Sequence, residues 1–140
     1  MGDNKDNDIV PARRIGMYHI GWTYDELIEH LSEGFKQKEL EQQITLQTSN
    51  IKFWISKGSR TVTQIMAYDR FDGKFLEEIG IGSCLKDITR LGIKYKQNEN
   101  DYVYELPDYP GICFELEDID EWDELTAPIE YISIYETNLN

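Results

Sequence analysis

Lysine and arginine are missing from the last third of this chain. Residues 97–140 carry 13 acidic side chains and no Lys or Arg, whereas residues 1–96 carry 14 of each sign. The formal net charge of −13 therefore comes entirely from one region. Such a surface repels nucleic acid and anionic membranes and suits a basic partner. Long apolar runs are also missing: nothing approaches the ~20 residues of a membrane span. The N-terminal MGDNKDNDIVPARR has no apolar centre of the kind a signal peptide needs, so a cytoplasmic location is expected. Cysteine is scarce. Cys84 and Cys113 stand far apart, and in a cytosolic protein they are expected as buried thiols rather than a disulfide. The only histidines are His19 and His30, no Cys/His spacing suggests zinc, and no serine sits in a G-x-S-x-G elbow. No catalytic residue, metal site or cofactor is expected.

What is present fits one folded domain. The 140 residues suffice for a real core. Residues 1–10 read as a disordered tail and 11–140 as a single domain. Two helices are predicted. The first opens at TYDE, with Thr23 and Glu26 as a capping box, runs through Leu27, Ile28 and Leu31, and stops at Gly34. The second opens at Ser83, carries Leu85, Ile88 and Leu91, and stops at Gly92. Strands are predicted over 42–48, 51–56, 61–68, 102–106, 111–116 and 129–135. In NIKFWIS, Ile51, Phe53 and Ile55 alternate onto one face. RFDGKF at 70–75 reads as the connection between halves.

Those halves follow one plan, about 15–70 and 76–136. Each has a glycine-rich approach (HIGWT, IGIGS), a capped helix and three strands. NIKFWI matches GICFEL, and TVTQIMAY matches PIEYISIY, which pairs Val62 with Ile129, Ile65 with Ile132 and Tyr68 with Tyr135. The expected fold is α+β: two tandem helix–β-β-β units forming an antiparallel sheet with helices on one face. The matching strands also expose a difference. Ile51 to Val62 spans eleven residues and Ile112 to Ile129 spans seventeen, so the second half carries about six more. They fall in EDIDEWDELTA, where the first half closes with short, basic KGSR. A loop longer than its fold needs often serves binding.

Glu117, Asp118, Asp120, Glu121, Trp122, Asp123 and Glu124 are therefore the candidate partner-binding residues. The acids would steer encounter and Trp122 would anchor it, Trp being enriched at interface hot spots. The plain alternative is a solvated, solubilising segment. A calcium loop through Asp118, Asp120 and Asp123 lacks the turn glycine and the bidentate Glu at the twelfth position. GIGS at 80–83 could suggest an anion site, but tight-turn geometry explains Gly80 and Gly82 more simply. Trp54 is the remaining candidate. It points opposite Phe53 on its strand, either beneath a helix or on an open sheet face with Gln64 and tyrosines.

FDGKFLEEIGIGSCLKDITRLG, with HIGWTYDELIEHL upstream, resembles the bacterial immunity proteins encoded beside polymorphic or contact-dependent toxins. Some of these, like the β-lactamase inhibitory protein, have a tandem helix-plus-sheet plan. The resemblance covers most of residues 15–135 at the level of plan. It implies a non-catalytic cytoplasmic protein that neutralises a cognate toxin domain, with a basic nuclease-type toxin preferred on charge. Two alternatives stay open: a soluble housekeeping domain with a self-association surface, and a small hydrolase or ligand-binding domain with a pocket between the units. Oligomeric state is not readable from the residues.

Overall fold

The computed structural model describes residues 7–31, 34–98 and 102–137. Strands dominate. A small antiparallel sheet of β1 (Ile9–Val10), β2 (Arg14–Ile15) and β3 (Tyr18–His19) precedes the first helix, α1 (Tyr24–His30). Then come β4 (Lys36–Glu39), β5 (Gln43–Gln47), β6 (Ile51–Ser56) and β7 (Val62–Tyr68). After α2 (Leu85–Arg90) follow β8 (Lys96–Asn98), β9 (Val103–Glu105), β10 (Ile112–Leu116) and β11 (Ile129–Tyr135). These eight make one antiparallel sheet in the order β4-β5-β6-β7-β11-β10-β9-β8. The sheet is thus two runs of four joined at β7 and β11, where Met66 lies opposite Ser133.

Each run holds one strand more than the three expected, because β4 and β8 join at its outer edges. Their sequences, KQKE and KQN, show no apolar alternation, since an edge strand facing water has no face to bury. Lysine at such an edge also discourages further strand pairing.

The alternation in β6 works as its sequence implies. Ile51, Phe53 and Ile55 are buried and the residues between them half-buried. Across the sheet, Leu46, Phe53, Ile65, Ile134 and Ile112 lie in one register row and line the core. Leu27 of α1 and Leu85 and Ile88 of α2 join the same cluster at zero exposure. Each such side chain contributes about 1.5–3 kcal/mol on burial.

Thr23 caps α1 as expected. Its Oγ1 accepts the Glu26 N–H at 3.1 Å, and the Glu26 carboxylate accepts the Thr23 N–H at 2.8 Å. The helix stops at Leu31, three residues before Gly34, because Leu31 adopts an extended conformation. The second helix opens on Cys84 rather than Ser83. The Asp87 carboxylate accepts the Cys84 N–H at 3.0 Å, and these bonds hold its pKa below the usual carboxylate value.

The approaches to the two helices are built alike. Gly21 and Gly82 have φ +93° and +94°. The Gly21 N–H donates to the Val62 carbonyl, and the Val62 N–H returns to Trp22, both at 2.8 Å. The Gly82 N–H donates to Ile129 at 2.9 Å, and the Ile129 N–H returns to Ser83 at 2.7 Å.

The expected tail of residues 1–10 is corrected at its end. Residues 1–6 lie outside the described residues, but Ile9 is buried in β1 and its N–H donates to the Lys74 carbonyl at 2.8 Å. Ile9 forms a parallel bridge to Phe75, far along the chain, and the polar residues before it conceal this in the sequence. Glycines mark where this segment crosses the connection between the halves and the turn before β10. A Cβ on Gly73 would lie 1.8 Å from the Asn7 carbonyl oxygen, and one on Gly111, at φ +95°, 2.5 Å from the Ala12 Cβ.

Candidate functional site

The acidic segment is the connection between β10 and β11. Its counterpart between β6 and β7 closes tightly: the Ser56 Oγ accepts the Gly58 N–H at 3.2 Å, and the Arg60 N–H returns to the Ser56 carbonyl at 2.8 Å. Both hairpins have a register shift at the matching point, between Trp54 and Ile55 in one and between Glu115 and Leu116 in the other. From there they diverge.

The Glu117 N–H donates to the Pro128 carbonyl at 2.8 Å, which prolongs the β10–β11 stem by one step. Asp118, Ile119, Asp120, Glu121, Trp122 and Asp123 beyond it are all exposed. Glu121 turns the chain with φ +56°. The return limb is fastened. The Asp123 carboxylate accepts the Leu125 N–H at 2.8 Å, and its carbonyl accepts the Ala127 N–H at the same distance. The Leu125 carbonyl accepts the Lys86 N–H in the first turn of α2, and Ala127 is fully buried.

Glu124 has a different part from its acidic neighbours. Its carboxylate accepts the hydroxyls of Tyr95 at 3.0 Å and Tyr104 at 3.1 Å, whose rings meet edge-on. Burial, and then the bond to Glu124, push the Tyr104 phenol up to about 12 and raise that of Tyr95. Charge counting in the sequence could not separate Glu124 from the rest. Its two phenol partners come from residues 20 and 29 positions away.

The outer surface of the loop therefore combines acids with apolar side chains in water. Ile119 is 41% exposed, Trp122 46% and Leu125 42%. Of these, only Trp122 stood out in the sequence. Ile119 and Leu125 are marked only by their exposure.

Trp54 lies elsewhere. It is half-buried on the sheet face opposite the core, with the Lys52 Nζ 4.9 Å from its ring centre. Its register row runs through Gln64 to Tyr135, at the far end of β11 from where the loop enters at Ile129. At ~3.3 Å per residue that is roughly 20 Å along the strands. The structure brings the seven loop residues together and leaves Trp54 apart from them.

His19 and His30 flank the Trp22 ring at 5.4 and 4.8 Å, and each Nδ1 is bonded to a nearby backbone carbonyl. Among the described residues no group of three His, Cys, Asp or Glu side chains converges as metal ligands would. Cys84 and Cys113 are half-buried rather than fully buried. No described helix is long and apolar enough to cross a membrane.

No family model matches the chain, and no curated protein matches it. Among solved structures it is similar to the crystal structure of the uncharacterized protein yfeY from Escherichia coli, with 11% identity and a TM-score of 0.58. That similarity covers 91% of this chain and 99% of the other. At such identity the likeness shows the fold alone.

Proposed function

We propose that this chain is a non-catalytic immunity protein of the cytoplasm, which neutralises a cognate toxin domain by docking the β10–β11 loop on a basic surface of it. The observation that carries this reading is the loop's construction. Its return limb is tied to α2, Tyr95 and Tyr104, while Ile119, Trp122 and Leu125 stay in water among Asp118, Asp120, Glu121 and Asp123. A solubilising segment needs the charge but gains nothing from exposed large apolar side chains or from being held in place. A docking element gains from both, because ordering it in advance lowers the cost of binding. Opposed charge speeds encounter, and the apolar residues retain the partner afterwards. A nuclease cleft suits this surface, since carboxylates can occupy positions that otherwise receive phosphates.

The scaffold beneath is proposed to be two tandem helix-plus-sheet units with their helices on the same face. Support comes from the mirrored strand order, the paired register shifts, the two glycines near φ +93° and the matching bonds from Gly21 to Val62 and from Gly82 to Ile129. On this plan the loop is an addition to a hairpin that closes without it.

The test is direct. The product of the neighbouring gene, if it ends in a basic domain, is co-expressed with this chain and titrated against it. Rescue of growth, with a dissociation constant that rises steeply with salt, supports the proposal. A basic neighbour that neither binds nor is neutralised refutes it.

A further inference from the structure

The turn between β8 and β9 stands beside the acidic loop, at one end of the sheet. β9 pairs with β10 so that Tyr104 lies opposite Phe114 and Glu105 opposite Cys113. The entry to β9 therefore meets β10 where that strand runs out into the loop. Glu124 ties the loop across to the same strand through its bond to the Tyr104 hydroxyl. Two residues before Tyr104, at the end of the turn, is Tyr102. It is 76% exposed, more than any other large apolar or aromatic side chain among the described residues.

Neither the core nor the turn accounts for a tyrosine there. The side chain stands in water. Its backbone has φ +56°, in the left-handed region that glycine and asparagine enter readily and bulkier residues enter at a cost. The turn's own bond, from the Tyr102 N–H to the Asn98 carbonyl at 3.0 Å, uses no side-chain atom. What the ring does have is company, because Ile119, Trp122 and Leu125 are exposed on the neighbouring loop. Apolar side chains scattered singly over a surface are ordinary, but several gathered at one place mark an interaction site.

We infer that Tyr102 is a second anchor of the docking surface, so that one basic protein domain covers the β10–β11 loop and the β8–β9 turn together. This inference rests on the docking role proposed for the loop and adds a residue from outside it. Charge selects the occupant. Turn and loop both belong to residues 97–140, which hold 13 acids and no Lys or Arg. The bordering cations belong to other elements: Lys86 to α2, and Lys96 to the far end of β8, opposite Glu105. A second copy would bring acids against acids, whereas a patch ringed by Lys and Arg meets carboxylates. Tyr belongs with Trp and Arg among the residues enriched at interface hot spots, and its ring face also takes a guanidinium. Anchors on two separate segments hold a partner in one orientation more firmly than one loop does.

Titration of the full chain with the basic domain encoded by the neighbouring gene, at low salt, tests it with three proteins. The wild type should bind. Tyr102→Gly should weaken binding about tenfold or more. Its melting temperature should stay at or above that of the wild type, because glycine relieves the left-handed backbone as it removes the ring. Tyr102→Asn, which tolerates the same backbone, replaces it if the glycine variant melts lower. The loop variant, with Asp118, Asp120, Glu121 and Asp123 replaced by Asn or Gln, reports separately on the docking role. If that variant binds weakly and the Tyr102 variant binds like wild type, the second anchor is overturned and the docking role stands. If the domain does not bind the wild type, or binds both variants equally well, both are overturned. A loss at Tyr102 with none at the loop overturns the shared surface. So does a lower melting temperature in both Tyr102 variants, since the ring then serves the fold.

Discussion

Within the acidic run, side chains of one charge do different work. Glu124 spends its carboxylate on two phenols inside the molecule, while Asp118, Asp120, Glu121 and Asp123 face water. Glu124→Gln is expected to lower stability by about 1.5–3 kcal/mol, the range for hydrogen bonds to a charged group, read as a fall in melting temperature. The phenols set a second signature. The folded Tyr104 pKa, about 12, lies above the ordinary 10.0, so the folded state holds this proton more tightly than the unfolded one. Its contribution is complete below pH 10 and declines as pH rises towards 12. Tyr104→Phe should flatten that part of an alkaline stability curve. Glu115 is raised too, with the opposite consequence at neutral pH: its charged form is disfavoured by folding. Glu115→Gln should therefore stabilise the fold at pH 7, with the gain vanishing below the ordinary 4.5. A variant less stable at pH 7 would show that the carboxylate has a partner.

At the scale of elements, the proposed docking role makes the β10–β11 loop separate encounter from retention. Replacing Asp118, Asp120, Glu121 and Asp123 together by Asn or Gln should slow association with the proposed toxin partner roughly 10- to 100-fold at low salt. Stability should change by less than about 0.5 kcal/mol, as for surface positions generally. Trp122→Ala should act through dissociation instead, at a cost of about 2 kcal/mol if it is the anchor. Stopped-flow binding at two salt concentrations distinguishes the two, and equal effects on both rates would contradict the division. The N-terminal segment is an element of the fold as well. Gly111→Ala, which sets a methyl against Ala12 at a left-handed φ, should cost about 1–3 kcal/mol.

At the scale of the molecule, β7 and β11 make the two runs of four strands one sheet, and their core is shared. A single cooperative unfolding transition is expected despite the mirrored strand order. Ile132→Ala, at the centre of that sheet, should cost about 2–5 kcal/mol and lower the whole transition. Two calorimetric peaks, only one of them shifted, would mean the halves are separate folding units.

The six central strands were legible because each buries one face, and a period of two in apolar residues follows from that alone. The cap of α1 was legible because Thr23 and Glu26 act within four residues. Edge strands β4 and β8 were not, since they have no buried face to pattern their residues. Nor was Ile9, whose place depends on Lys74 and Phe75, far along the chain. The candidate acidic site was half legible: charge and surplus length placed the loop, because both are counted along the chain. Which acid is an anchor, which apolar residues stay in water, and that Trp54 stands apart were decided only by the fold, because those properties depend on neighbours brought together in space.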